Sequence, residues 1–337
     1  MLGKVISIAA TIAPLIASGP AWADEPVTLR FAIPGASLIS TTYTAVFQPW
    51  IARVEADADG SLSLQASFSI ANFANVYDRV VNGVADIGYA GVGVIGGKFP
   101  GSNVVELPSD VASSSVAAGA FWKLYQDGLI AAEYREVRPL AFFTFPQNML
   151  TSPKPITTLA DIKGLRVAIL SKGAGEIVTR FGGAPISTGP AGFYDVLQRQ
   201  TVDAAIIGWN GLVVFKLTEV TNHHIAFGLD SGGGVVMMNK DADAKLPAKA
   251  KQAIDRNSGF AASRALGAAW DKLYADAQDA VRKLPGHTIV SLTQADKDSF
   301  VRDVAGPMTE EWAKRTPNGP AILAAYRAEV AKLRPAR

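Results

Sequence analysis

The period of the hydrophobic pattern changes twice within the first 70 residues, and that change limits the fold more than any other feature. Val27-Thr-Leu-Arg-Phe-Ala-Ile33 alternates like a strand and stops at Pro34-Gly35, a loop signal. From Tyr43 to Asp57 the apolar residues Val46, Phe47, Trp50, Ile51 and Val54 fall three to four apart, the spacing of one helix face. Leu62 to Ile70 alternates again. Strand, helix and strand in that order predict a largely parallel α/β sheet. Further on, Asp241 to Arg282 has helical spacing and predicts one or two long helices, Thr288 to Leu292 a short strand, and Ala295–Arg315 and Ala321–Leu333 closing helices.

An internal echo adds a second constraint. Tyr77-Asp78 followed by Asp86 resembles Tyr194-Asp195 followed by Asp203: a Tyr-Asp pair opens a short helix, and an Asp nine residues after the Tyr introduces an apolar strand. Two lobes built on similar plans, with a cleft between them, are expected from it.

The N-terminus reads as an export signal. Lys4 is the basic start, Val5 to Ile16 the apolar run, and Ala21-Trp22-Ala23 an A-x-A end, so cleavage is expected after Ala23. The run is too short, and too broken by Pro14 and Gly19-Pro20, for a membrane span. Periplasmic location follows. With no cysteine in 337 residues, the exported chain must rest on core burial alone. The 49 % hydrophobic content supports such a core. Basic and acidic residues nearly balance at 32 and 30, which leaves no electrostatic footprint for nucleic acid.

Several segments resemble catalytic motifs and fail on context. Gly91-Val-Gly93-Val-Ile-Gly96 matches the dinucleotide fingerprint, but Gly97, Pro100 and Gly101 break the helix that should follow. A glycine-lined loop facing a cleft is expected instead. Leu229-Asp230-Ser231-Gly-Gly233 resembles a protease nucleophile loop, which would need one of only three histidines, His223, His224 or His287, in reach. His223 and His224 are adjacent and project differently, a poor metal pair. The acidic residues form no local cluster. The expected protein binds rather than catalyses, with no cofactor or metal, and is a monomer.

Lys154-Pro155-Ile156, then Asp161-Ile162-Lys163-Gly164-Leu165-Arg166-Val167, is similar to the central motif of the DctP-type substrate-binding proteins of tripartite ATP-independent periplasmic (TRAP) transporters. Gly183-Ala184-Pro185, Tyr194 with Leu197-Gln198, Thr201-Val202-Asp203, Gly83 to Gly88 and Phe300 to Trp312 extend the resemblance over the mature chain. The resemblance implies an α/β two-lobe periplasmic binding protein fold, with segments crossing between lobes and a long C-terminal helix. It implies lobe I over 24–144 plus about 233–273, and lobe II over 145–232 plus about 274–330, after a 1–23 signal. It further implies capture of a small organic molecule for TRAP membrane permease subunits; a sensory module of the same fold is the alternative, and a secreted α/β hydrolase a third.

The family's carboxylate-pairing arginine, four residues after the Gly of the motif, falls on Ala168, and a second arginine position falls on Asn148. Alanine cannot replace a bidentate Arg–carboxylate contact. Two readings follow. The ligand is neutral or aromatic, held by Phe145, Ile207 and Trp209 with Gln147 and Asn148 orienting it; or an acid binds through another set, such as Lys172, loop N–H groups or Asn72. Ser37, Tyr89, Gly91, Pro190 and Asn210 are further candidate contacts.

Overall fold

A computed structural model describes residues 26–334 except 36, 38, 39, 96, 110 and 112, so the expected signal segment lies outside the described residues. The first sheet has the order β2-β1-β3-β10-β4: β1 is Val27–Ala32, β2 Leu62–Ser67, β3 Ile87–Gly91, β4 Val137–Thr144 and β10 Gly233–Asn239. The second has the order β11-β9-β5-β8-β6-β7: β5 is Asn148–Ser152, β6 Arg166–Ile169, β7 Ala184–Ser187, β8 Ala204–Ile207, β9 His223–Asp230 and β11 Thr288–Val290. Both sheets repeat one plan. Three parallel strands (β2-β1-β3, β7-β6-β8) are followed by one antiparallel strand, β10 in the first sheet and β5 in the second. That antiparallel strand comes from the other half of the chain, so the chain crosses between sheets at β4–β5 and again at β9–β10.

The sequence echo is the local signature of this plan. In the first sheet Asp86 accepts from the Arg30 backbone N–H at 2.8 Å and from its guanidinium, whose Nη2 also donates to the Gly83 carbonyl. In the second, Asp203 accepts from the Arg166 N–H at 2.9 Å and from its guanidinium, whose Nη2 donates to the Gln200 carbonyl. Gly83 and Gln200 both adopt positive φ, 69° and 53°, to end the short helix before the strand. Each Asp therefore pins the start of its own strand to the neighbouring one.

Helices α1 (Gln48–Ala58), α2 (Val76–Val81) and α3 (Ser114–Gln126) cover the first sheet, with α7 (Lys240–Ala244) and α8 (Ala248–Arg256) beside them. A π-helical stretch over Thr42–Phe47 leads into α1. Helices α4 (Lys172–Arg180), α5 (Phe193–Gln198), α6 (Trp209–Val214) and α10 (Gln294–Phe300) belong with the second, and α11 (Gly306–Arg315) reaches both, with Met308 in the second core and Trp312 in the first. Helix α9 (Gly259–Arg282) is a third crossing: Leu266, Trp270 and Leu273 join the first sheet's core, and Ala277 and Val281 the second's. The region Asp241–Arg282 thus resolves into three helices, because Pro247 and Gly259 interrupt it. One assignment needs correction. Helix α12 (Gly319–Leu333), placed with lobe II on sequence, returns to the first sheet and buries Ile322, Tyr326 and Val330 in the core that holds Phe121 and Leu124 of α3.

Candidate ligand cleft

The two strand crossings lie side by side and make a floor between the sheets. Phe145-Pro146-Gln147 links β4 to β5, and Ser231-Gly232 links β9 to β10; the Phe145 N–H donates to the Gly232 carbonyl at 2.8 Å. A Cβ on Gly232 would stand 2.9 Å from the Phe145 ring, so only glycine lets the crossings approach this closely. The half-buried Phe145 ring is edge-on to Trp270 at 4.8 Å and to Phe143 at 5.3 Å. Gln147 donates from Nε2 to the Ser109 carbonyl at 2.6 Å, and its own carbonyl accepts from the Tyr274 hydroxyl at 2.7 Å. This one residue joins a first-sheet loop, the crossing and α9.

Parallel strands deliver their carboxyl ends to the edge where ligands bind in open α/β sheets. On the first side, β1 runs out into Pro34-Gly35 and β3 into Gly91-Val92-Gly93. Phe73 covers Gly35 and lies edge-on to Tyr89 at 6.2 Å, and the buried Tyr89 hydroxyl donates to the Pro34 carbonyl at 3.0 Å. On the second side, β6 runs into Ser171, whose hydroxyl caps α4 by accepting from the Ala174 N–H at 2.9 Å. At the end of β8, a Cβ on Gly208 would lie 3.2 Å from Asn210 Oδ1, 3.5 Å from Asn148 Oδ1 and 3.6 Å from Tyr274.

Two carboxyl groups sit at the ends of the second crossing. Asp230 is 1 % exposed and accepts from Asn148 Nδ2 at 3.0 Å and from the Ser171 hydroxyl at 2.8 Å. Burial pushes it up to about 6, against the pull of those two donors. Glu106 accepts from the Gly233 N–H at 3.3 Å and from the Gly93 backbone. Burial pushes it up to about 7 against those N–H groups, and the nearby charge of Asp230 adds to the rise. A Cβ at Gly93 would come within 2.4 Å of both Glu106 carboxylate oxygens. The glycines that imitate a dinucleotide fingerprint thus let the backbone reach the protein's own carboxylate. Gly96, the third of them, lies outside the described residues.

The structure brings Phe145, Gln147, Asn148 and Asn210 together at the floor, and Gly91 begins the loop that holds Glu106. Other candidates fall elsewhere. Ala168 is fully buried in the cluster that contains Phe193, Ile207 and Trp209, because its central strand is covered on both faces. It therefore presents no side-chain space to the cleft. Trp209 is 1 % exposed and edge-on to His224 at 5.5 Å, with the Tyr274 side chain beside it. Both Trp209 and Ile207 are core residues, not open walls. Asn72 is exposed and uses its side chain locally, accepting from the Ala74 and Asn75 N–H groups at the start of α2. Ser37 is exposed, with its backbone tied to the Ser40 hydroxyl, and Pro190 opens a short helical turn. Lys172 is exposed on α4. Arg166, two residues before Ala168 on the same strand, is held by Asp203.

Glu106, Asp230, Ser171, Tyr274 and Phe73 escaped the sequence reading; only Asp230 lay inside a motif considered there. That motif does not assemble a triad. Ser231 donates to the Val105 carbonyl at 2.6 Å, while His224 lies at the opposite end of β9, about 20 Å away at strand rise. There His224 Nδ1 contacts Thr151 Oγ1 at 2.8 Å and Nε2 contacts His287 Nδ1 at 3.0 Å.

Comparisons with known proteins agree with this architecture. A curated relative, the outer membrane transporter protein TsaT of Comamonas testosteroni, is 28 % identical over 302 residues, covering 85 % of this chain and 87 % of the relative. A TRAP solute-binding protein of Rhodoferax ferrireducens, in complex with copurified benzoate, superposes with a TM-score of 0.85 at 25 % identity, covering 91 % of this chain and 98 % of that one. One from Bordetella bronchiseptica with bound (R)- and (S)-mandelate gives 0.83 at 25 %, covering 92 % and 100 %. A marine metagenome protein specific for aromatic acids, in complex with 3-hydroxybenzoate, gives 0.86 at 22 %, covering 92 % and 99 %. The model of the bacterial extracellular solute-binding proteins, family 7, matches residues 35–315, and the chain belongs to that family, the DctP proteins.

Proposed function

We propose that this solute receptor takes a small aromatic molecule into the cleft between its sheets and presents the closed, loaded form to the subunits of a TRAP permease. The observation that carries this reading is the floor itself. Phe145 stands half-buried on Phe143 and Trp270 at the crossing that carries Gln147, and the amides of Asn148 and Asn210 meet beside Gly208. Apolar rings with a few convergent polar groups are the composition of a small-molecule pocket. The benzoate, 3-hydroxybenzoate and mandelate bound by the proteins above point to the same size and shape of ligand. Closure needs contacts to both halves, and the three crossings are the elements that flex. The lobes follow the sheets: 24–144, 233 to about 273 and α12 on one side, 145–232 and about 274–318 on the other. The mature chain begins at Asp24 in the periplasm.

A thermal-shift screen of the mature protein tests the ligand class. The panel holds benzoate, 3-hydroxybenzoate, mandelate, benzamide and benzylamine against aliphatic and sugar acids. A ligand at 100 times its Kd adds about 2.7 kcal/mol of stability, easily read as a shift. Shifts confined to the aliphatic or sugar acids would refute the aromatic reading.

A further inference from the structure

The first sheet carries a polar pocket at the end away from the cleft. Strand β10 runs antiparallel to both β3 and β4, so β4 starts at the amino ends of the parallel strands, about 26 Å from Phe145 at strand rise. A cavity of about 510 Å³ lies around that start, and its lining includes Tyr125, Tyr134, Arg135, Arg138, Lys240 and Asp243. Three of these side chains are cations and one is an anion. Arg138 is committed: its guanidinium forks between Asp243 and Asp255, and Asp243 also meets Lys251 at 3.4 Å. Arg135 and Lys240 are not. Both are exposed, and neither is paired with a carboxylate among the described residues. The Lys240 ammonium donates to the Arg135 carbonyl, which fixes it beside the turn before β4 and leaves two of its three donors unused. The half-buried Tyr125 hydroxyl has no hydrogen-bond partner among the described residues. The neighbouring Glu136 accepts from the Tyr77 hydroxyl at 3.1 Å, and the Tyr134 hydroxyl is shared with Ser102 at 2.7 Å. With Asp243 and Asp255 set against Arg138 and Lys251, two positive charges stand unanswered.

We infer that this pocket is a second binding site, for a small oxyanion with at least two negative charges, a polycarboxylate or a phosphate, with Arg135, Lys240 and the Tyr125 hydroxyl as its donors. A guanidinium and an ammonium make charge-assisted contacts to carboxylate and phosphate oxygens alike. A monoanion leaves one of the two cations unanswered, so the charge of the ligand sets its affinity. The rings of Tyr125 and Tyr134, edge-on at 5.9 Å, wall the part of the cavity that a lone phosphate would not fill. The end of α3, the start of β4 and α7 supply the lining, and all belong to the first sheet's half. The site is therefore indifferent to lobe closure and independent of the aromatic reading of the cleft.

The test is calorimetric titration of the mature protein at pH 7.5 and low ionic strength with citrate, inorganic phosphate and acetate. Citrate or phosphate should bind with one-to-one stoichiometry, and acetate at least about tenfold more weakly. The tighter of the first two tells a polycarboxylate site from a phosphate site. Arg135→Gln and, separately, Lys240→Gln should each weaken that anion about fivefold or more. Both side chains are exposed, so the variants keep the fold, and the wild-type ranking decides the matter if one does not. Saturable heat from neither citrate nor phosphate up to about 10 mM would overturn the inference. Acetate binding as tightly as both, or binding unchanged in the two variants, would overturn it as well. Displacement of the bound anion by benzoate would place it in the cleft and refute the second site, while leaving the aromatic receptor standing.

Discussion

Asp230→Asn should make the ligand-free protein more stable at neutral pH. Asp230 is fully enclosed, and burial raises its carboxyl from an ordinary 3.8 to about 6. That displacement corresponds to about 3 kcal/mol of unfavourable ionisation in the folded state. The sign follows from proton uptake. Between pH 3.8 and 6 the folded chain holds a proton that the unfolded chain has released, so stability falls as pH rises through that window and stays lowered above it. Below pH 4 the protonated acid and the amide are near-isosteres: in each the carbonyl oxygen can accept from Asn148, and the O–H or NH2 can donate to the Ser171 hydroxyl oxygen. The variant should then match the wild type at pH 4 and exceed it by up to about 3 kcal/mol at pH 8. Urea unfolding across pH 4 to 8, with unchanged m values, reads the difference directly. A variant less stable than the wild type at pH 8 would show that the ionised Asp230 is held by a cation. Such a result would refute the reasoning that burial among neutral partners raises this carboxyl.

Four other outcomes are expected. His224, enclosed and lowered by burial to about 4, is neutral when folded, so stability is lost as pH falls from 6.5 toward 4; His224→Gln should remove that acid slope of about 3 kcal/mol in urea titrations. Arg166→Ala should leave ligand affinity within about twofold by calorimetry, since the ion pair to Asp203 is half exposed and holds the strand start; a large affinity loss would make Arg166 a ligand clamp. Trp209→Ala should cost about 3–5 kcal/mol in denaturant unfolding, and a variant with native stability that no longer binds would move Trp209 back into the cleft. Ala168→Arg places an unpaired charge in a closed core and should destabilise by more than about 3 kcal/mol, visible as loss of soluble protein; a stable variant that binds simple carboxylates would show the position open after all.

The parts of the fold legible in sequence are those made by neighbours along the chain. β1, α1 and β2 announce themselves by period, and the paired Asp86 and Asp203 sit in units short enough to be compared by eye. The reason for the pairing was not visible, because Arg30 and Arg166 lie on the first strand of each unit, two strands before the Asp in sequence, and only the register of parallel strands brings each to its Asp. The antiparallel β10 and β5 were legible only as crossings implied by the resemblance. Their positions depend on strand exchange between halves, which leaves no periodicity of its own. Helix α12 was misassigned for a related reason: its stripe of Ile322, Tyr326 and Val330 fits any apolar groove, and tertiary geometry chooses α3.

The candidate floor was legible by residue type more than by position along the chain. Phe145, Gln147 and Asn148 stand together because they are nearly consecutive, at the crossing and the first residue of β5. Ala168 was singled out by its place in the motif, yet strand alternation puts its methyl among Phe193 and Trp209 instead of at the strand's end. Glu106 and Asp230 could not be seen as a pair, because 30 acidic residues are scattered along the chain and these two lie on different halves. What joins them is the four-residue crossing from Asp230 to Gly233: the Ser231 hydroxyl donates to the Val105 carbonyl and the Gly233 N–H donates to Glu106 itself. A glycine at 233 is needed there, since a Cβ would fall within 2.5 Å of Val105. The Asp-Ser-Gly-Gly sequence that imitates a nucleophile loop is therefore better explained by close passage between two sheets. Its serine serves as a fastener, and its aspartate ties Asn148 and Ser171 to the same crossing.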